Sequence, residues 1–159
     1  MDDLTSASVP SVGPEDHVEG EGGDGLIVYA DLGCPHCAAV WARLRESPGR
    51  LVFRHFPMAS KHPRAPALHA AAEAAGRQGR FFAMVDSLYA DRGRVDDPHL
   101  WERAERLGLD LGGFEQGRRS EEAQARIDRD FRSGIRAGVT ATPALFDACT
   151  LQPVREREF

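Results

Sequence analysis

The sequence predicts an α/β domain, and three observations carry that prediction. A short apolar run, Leu26-Ile27-Val28-Tyr29-Ala30, precedes a helical pattern over Pro35–Arg45 and a second apolar run, Leu51–Phe56. The section from His62 to Ala137 is helical in pattern almost throughout. A further strand-like run, Val139–Phe146, follows Gly138 and has a proline at its entry. Strand, helix and strand with a short return imply a right-handed parallel crossover. The long helical section is then an insertion before the last strand.

Taken in order, residues 1–25 are rich in Gly, Pro, Ser, Asp and Glu and offer almost nothing to bury, so a disordered lead-in is expected. Leu26–Ala30 reads as a buried strand and Asp31-Leu32-Gly33 as a turn. Pro35 suits the first position of a helix, where its missing N–H would have had no partner. The helix Pro35–Arg45 places Val40, Trp41 and Leu44 on one face. Ser47-Pro48-Gly49 is a turn, and Leu51–Phe56 is a second strand closed by Pro57. Within the insertion, Pro66–Ala75 is an Ala-rich helix ending at Gly76, and Arg80–Ala90 carries Phe81, Phe82, Val85, Leu88 and Tyr89 at helical spacing. Pro98–Leu107 follows Asp97 as an N-cap and ends at Gly108. Leu111–Gly117 is a further short helix, and Ser120–Arg136 opens close to a capping box. The expected organisation is one domain over residues 26–149, with the insertion at about 62–137 and a short tail at 150–159.

Composition narrows the function classes. The chain has 159 residues, 42% of them hydrophobic and 28% charged, which suits one soluble domain with a core. A net charge of −5 argues against a nucleic-acid surface. Arginines interleave with Glu and Asp over Trp101–Leu107 and Glu121–Arg132, as on solvated helix faces. No stretch approaches the roughly 18 apolar residues of a membrane span. Met1-Asp2-Asp3 is acidic where a secretory leader is basic, so a cytoplasmic protein is expected. The 3 cysteines are too few for a disulfide scaffold; in a reducing compartment a C-x-x-C is catalytic or metal-binding.

That motif is Cys34-Pro35-His36-Cys37, placed where the first strand ends and a helix begins. Two thiols at this spacing can close a small disulfide. The first sits at the helix N-terminus, where free N–H groups and the macrodipole stabilise a thiolate.

These residues form a recognisable pattern. Asp31 to Cys37, Phe53-Arg54-His55-Phe56-Pro57, His62 to Ala75 and Ser133 to Phe146 together resemble the DsbA-like thioredoxin-fold disulfide oxidoreductases. The resemblance covers about Leu26 to Phe146 and implies a thioredoxin fold with its helical insertion between the second strand and the cis-proline strand. It implies that Thr142-Pro143 is the cis-proline loop, packed beside the disulfide and offering backbone groups to an extended substrate. Cys34 is then the attacking thiolate that forms the mixed disulfide, and Cys37 the less accessible thiol that resolves it. His36 lies between them, where an imidazole favours the Cys34 thiolate. Helix terminus and neighbour together lower a thiol pKa from about 8.5 into the range of roughly 3.5–7.5. The Pro-His dipeptide is the oxidising version of the motif in that family. No metal or nucleotide cofactor is implied, and the partners are protein or small-molecule thiols and disulfides.

Two departures from the family pattern carry expectations of their own. Many members have an acidic residue six positions before the attacking cysteine, where this chain has Val28, so either Asp31 or a water takes over its proton transfer or resolution is slower. The family continues past the cis-proline strand with a hairpin partner and a final helix. Here only Cys149 and the tail follow, and Pro153 disfavours a central strand. The C-terminal elements are therefore expected to be truncated. One sheet edge and one core face are then open to a partner, such as a second copy in a homodimer.

Other readings stay open at this point. Cys34 and Cys37 are half of a zinc ligand set, but no second C-x-x-C or His pair completes it. Cys149 is either a third redox thiol or, more commonly for a lone cysteine, a small buried hydrophobe. His55 shares a strand face with Phe53 and reads as a hydrogen-bonded core histidine; His62 and His69 fall in the insertion with nothing in their spacing to place them. Trp41 and the Phe81–Tyr89 cluster read as core. The alternatives to a disulfide oxidoreductase of the DsbA type are a glutathione- or mycothiol-linked reductase and a binding domain without turnover.

Overall fold

The computed structural model describes residues 7–47 and 49–158. In chain order these form β1 (His17–Glu19), β2 (Gly25–Ala30), α1 (Pro35–Glu46), β3 (Arg50–His55), α2 (Ala65–Gly76), α3 (Phe81–Ala90), α4 (Asp97–Arg106), α5 (Leu111–Arg118), α6 (Glu121–Arg136), β4 (Ala144–Asp147) and β5 (Pro153–Val154), followed by a single 3₁₀ turn at Glu156–Glu158. The strands make one mixed sheet in the order β1-β3-β2-β4-β5. Only β2 and β3 are parallel, joined by α1 as the crossover, and the other neighbours are antiparallel. This is the thioredoxin-like α/β arrangement the sequence predicts, with α2 to α6 inserted between β3 and β4.

Strand alternation sorts the core into two layers. Val28, Leu51, Phe53 and Leu145 face α1 and the insertion, packing with Val40, Trp41, Leu44, Leu68, Met84 and Leu88. Ile27, Tyr29, Val52, Phe56 and Phe146 face the other way, against Val9, Val139 and Ala148, with Phe131 of α6 packed on them. A sheet buried on both faces accounts for the unbroken apolar run of β2. Arg54 and His55 of β3 are polar yet buried. Arg54 reaches Asp16 through two nitrogens at 3.0 Å, and His55 joins the hydrogen-bond chain described below.

Several expectations need correction. The lead-in is not featureless: residues 1–6 lie outside the described chain, but from Ala7 onward it is built into the fold. Val9 is 2% exposed, and β1 adds an edge strand with His17 opposite Phe53 and Glu19 opposite Leu51. Its few apolar residues are held by long-range pairing, which local composition cannot register. The second core face is covered by this segment and α6, and β5 pairs with β4 through Leu145–Val154 and Phe146–Pro153. The open face and bare β4 edge expected of a truncated chain are therefore filled, and Pro153 sits in an outermost strand where a missing N–H is tolerated. The last full strand begins only at Ala144; the Val139 N–H instead caps α6 by donating to the Gly134 carbonyl at 2.9 Å. The cap of α4 is Asp96, accepting from the His99 N–H, one residue before the expected Asp97. Cys149 is exposed rather than buried, its Sγ 2.9 Å from the Gly23 carbonyl. Pro48, in the predicted turn, lies outside the described residues.

Candidate active site

The end of β2 and the start of α1 set the geometry. The Asp31 carboxylate accepts the Gly33 N–H at 2.9 Å and the Asp31 carbonyl accepts the Cys34 N–H at 3.1 Å, so the strand turns sharply into the helix. Cys34 is the N-cap residue of α1, in extended conformation with φ −88° and ψ 121°. Its Sγ accepts the Cys37 N–H at 3.4 Å, the place a Ser or Asp oxygen occupies in an ordinary cap. Pro35 takes the first helical position, as the sequence predicts. One of the N–H groups that the first helical turn leaves without a helical partner is thus aimed at a sulfur.

The two sulfurs differ in environment. Cys34 is 7% exposed and Cys37 1%. The Cys37 Sγ accepts the Asp31 N–H at 3.5 Å. Burial pushes the Cys37 thiol well above its ordinary pKa, and hydrogen bonds from Thr142 and the Asp31 N–H only partly offset that. The peptide bond between Thr142 and Pro143 is cis. Although 108 residues separate them in the chain, Cys34 Sγ lies 3.9 Å from the Thr142 carbonyl oxygen. Cys34, Cys37, Pro35, Thr142 and Pro143 therefore meet at one place.

His36 does not join them. Its Nε2 lies 2.7 Å from Oε1 of Glu156 in the C-terminal 3₁₀ turn, and its side chain is 59% exposed. Arg43 of α1 donates to the Glu156 carbonyl at 3.0 Å, so the tail is laid along α1. The sequence places an imidazole near the thiols; the fold turns that ring toward a carboxylate contributed by the tail.

Behind the dithiol lies a polar cluster that sequence spacing did not locate. The fully buried Asp31 carboxylate accepts from Gly33 N–H, from Met58 N–H at 3.0 Å and from His62 Nδ1 at 2.8 Å, with His69 Nε2 at 3.4 Å. Burial works against its charge, but the hydrogen bonds from the Gly33 N–H and the His62 ring outweigh it and hold the carboxyl below the usual carboxylate range. The buried Tyr89 hydroxyl donates to the Asp31 carbonyl at 3.0 Å. The backbone N–H of Leu32 can only donate, and it reaches His69 Nε2 at 3.0 Å. Neutral His69 therefore carries its proton on Nδ1, 2.7 Å from His55 Nδ1, and His55 in turn donates from Nε2 to Glu73 Oε1 at 2.7 Å. His17 of β1 contacts the same oxygen at 2.5 Å. Burial depresses His55 to about 3 and also lowers His69, so both rings stay neutral at pH 7.

His55 is thus the hydrogen-bonded core histidine its strand position suggests, whereas His62 and His69 both converge on Asp31. A chain of contacts from residue 17 through 31, 55, 62, 69 and 73 has no local periodicity; only the buried polar types in apolar segments hint at it. His17, His55 and Glu73 bring ligand-type atoms within 4.8 Å of one another, the sole such grouping among the described residues, and it does not involve a cysteine. Those atoms already bond to one another, and among the described residues no group of three or more ligand-type side chains includes Cys34 or Cys37.

Comparison with known proteins agrees with this geometry. A family model described as thioredoxin matches residues 21–147. A Na(+)/H(+) antiporter NhaA 1 of Salinispora arenicola is 36% identical over 145 residues, covering 87% of this chain but 22% of its own length. A Na(+)/H(+) antiporter NhaA of Herminiimonas arsenicoxydans is 35% identical, covering 91% and 24%. The chain thus spans under a quarter of these curated relatives. Among solved structures, a thioredoxin-like oxidoreductase from Silicibacter pomeroyi superposes with a TM-score of 0.78 at 24% identity, over 92% of this chain and 88% of the other. Wolbachia pipientis α-DsbA1 gives 0.72 at 20% identity over 94% and 80%, which establishes the shared fold. No helix among the described residues is long and apolar enough to cross a membrane.

Proposed function

This chain belongs to the thioredoxin family, and from that premise we propose that it is a thiol–disulfide oxidoreductase working through Cys34 and Cys37. The observation that carries the reading is Cys34 Sγ, capping α1 by accepting the Cys37 N–H and lying 3.9 Å from the carbonyl that precedes a cis-proline. A sulfur already accepting a helix N–H gains more from that bond as a thiolate than as a thiol.

In the reducing direction the Cys34 thiolate attacks a substrate disulfide, forming a mixed disulfide and releasing one substrate thiolate. Cys37 then loses its proton and attacks the Cys34 sulfur. The Cys34–Cys37 disulfide forms and the second substrate thiolate leaves, so two electrons pass from protein to substrate. The oxidising direction is the reverse. We place an extended substrate along Thr142 and Pro143, which border Cys34. The burial of Cys37 supports its assignment as the resolving thiol, since a protonated, inaccessible sulfur does not compete for incoming disulfides. Substrates are protein or small-molecule thiols and disulfides. The antiporter name of the longer relatives describes proteins of which this chain matches under a quarter, and no transport is carried over.

The test is the reduction potential of the pair, read by alkylation across a glutathione series, together with insulin reduction. A potential near about −120 mV marks a disulfide donor, and one near about −270 mV a reductase. A protein that neither forms the disulfide nor reduces insulin would sink the reading.

A further inference from the structure

On the insertion side of the dithiol, Leu32, Gly33, Lys61, His62, Arg64 and Arg92 help to line a cavity of about 210 Å³. It abuts the turn that delivers Cys34. A Cβ on Gly33 would fall 2.8 Å from the His62 Cβ, so the loop carrying Lys61 and His62 is pressed against the residue preceding Cys34. The Asp31 carboxylate pins that loop from below through the Met58 N–H and His62 Nδ1.

Three basic residues, Lys61, Arg64 and Arg92, stand in an otherwise largely apolar wall, in a chain whose net charge is −5. Not all of that charge is available. Arg64 donates to the Val95 carbonyl and pairs with Asp97 at 2.9 Å, which holds it in place and neutralises it. His62 spends Nδ1 on Asp31, and its Nε2 has no hydrogen-bond partner among the described residues. Lys61 and Arg92 are both exposed, and neither has an acidic partner among the described residues. Two unneutralised cations therefore line a small recess next to the turn that delivers the reacting sulfur.

We propose that this recess is a subsite for a carboxylate of the substrate, so that Cys34 exchanges preferentially with disulfides carrying a carboxylate a few bonds from the reacting sulfur. The proposal rests on the oxidoreductase reading above and adds the substrate class to it. The recess admits a carboxylate and its stem, but not a folded segment. Lys61 and Arg92 supply point charges that attract and orient the anion, and the half-open setting weakens screening relative to a flat surface. Exposed charge pairs are individually weak, so two of them amount to about three- to tenfold in rate. The chemistry at sulfur is unchanged: glutathione disulfide, for example, accepts two electrons from the dithiol and leaves as two glutathione thiols, while Cys34 and Cys37 close their disulfide.

The experiment measures second-order rate constants for oxidation of the reduced protein, by acid quench and alkylation, with glutathione disulfide and with uncharged bis(2-hydroxyethyl) disulfide. It adds a pair of short peptide disulfides bearing Glu or Gln next to the cysteine. The comparison variant is Lys61→Ala/Arg92→Ala, both exposed positions outside the dithiol machinery. The expected result is a three- to tenfold slower reaction of the variant with glutathione disulfide, an unchanged rate with the hydroxyethyl compound, and a wild-type preference that shrinks as salt is added. Slowing with the Glu peptide as well would assign the carboxylate to protein substrates too; slowing with glutathione disulfide alone would assign it to small disulfides. Equal rates for wild type and variant, or equal slowing with charged and uncharged disulfides, would overturn the subsite while leaving the oxidoreductase intact. Failure of the wild type to react with any of the four would remove the oxidoreductase reading and the subsite with it.

Discussion

Cys34 and Cys37 have the same side chain and opposite surroundings, and the difference is what gives them different work. One caps a helix and faces the Thr142 carbonyl; the other is 1% exposed with its thiol pushed up by burial. Cys37→Ser should therefore halt the reaction after the first step. Incubation with a disulfide would leave a stable mixed disulfide on Cys34, visible as an adduct by mass spectrometry, whereas Cys34→Ser should yield none. An adduct on Cys37 in the Cys34→Ser protein, as abundant as that of the other variant, would reverse the assignment. Asp31 is the second residue whose consequences are distinct. Its carboxylate satisfies two backbone N–H groups and the His62 ring at once. Asp31→Ala would strand those donors in a buried site, at a cost of about 3 kcal/mol measured by denaturant unfolding. A loss below about 1 kcal/mol would mean that water replaces the carboxylate.

At the scale of elements, the close approach of α6 to the sheet depends on a missing side chain. A Cβ on Gly134 would lie 2.8 Å from the Phe56 ring and 3.0 Å from Tyr29. Gly134→Ala gains helix propensity, yet overpacking at that distance outweighs it, so a net destabilisation of about 1–3 kcal/mol is expected from chemical denaturation. A more stable variant would show that α6 slides freely over Phe56. The elements also show what could be read from sequence and what could not. β2, α1, β3 and the caps at Cys34 and Ser120 are local patterns, with apolar runs, a proline at the first helical position and a capping serine, and they appear where local chemistry puts them. β1 has no such pattern: His17-Val18-Glu19 is a strand because β3 offers it an edge and Arg54 holds Asp16 beside it. His36 is the matching case within the site. Its position beside the cysteines is dictated by the motif, but its partner Glu156 lies 120 residues away and no spacing rule could have named it. Hydrogen bonds between distant segments are the part of the site that one sequence leaves unreadable.

For the molecule as a whole, the buried polar cluster sets how stability depends on pH. Asp31 and Glu73, the latter lowered by His17 and His55 against the cost of burial, are carboxylates with folded pKa values below their unfolded ones. The stability they contribute is present above about pH 4 and is lost as pH falls through the folded values. His55, held neutral down to about 3, works in the same direction: its contribution is complete above the ordinary histidine range near 6.5 and declines below it. Asp130 has the opposite sign. Burial raises it to about 6, against the hydrogen bond its Oδ2 accepts from the His55 N–H, so the folded state takes up a proton there and loses stability as pH rises through 6. Between about pH 4 and 6 these two effects oppose each other, which predicts a Tm that changes little from pH 7 to 5 and falls steeply below 4. Asp130→Asn separates them, because the amide oxygen can still accept the His55 N–H but cannot ionise. Relative to wild type, the variant should gain more Tm at pH 7.5 than at pH 5, and its own Tm should begin to fall at a higher pH. Thermal unfolding of both proteins across pH 4 to 8 reads this directly; a Tm difference that is constant over that range would mean that Asp130 does not titrate in the folded protein.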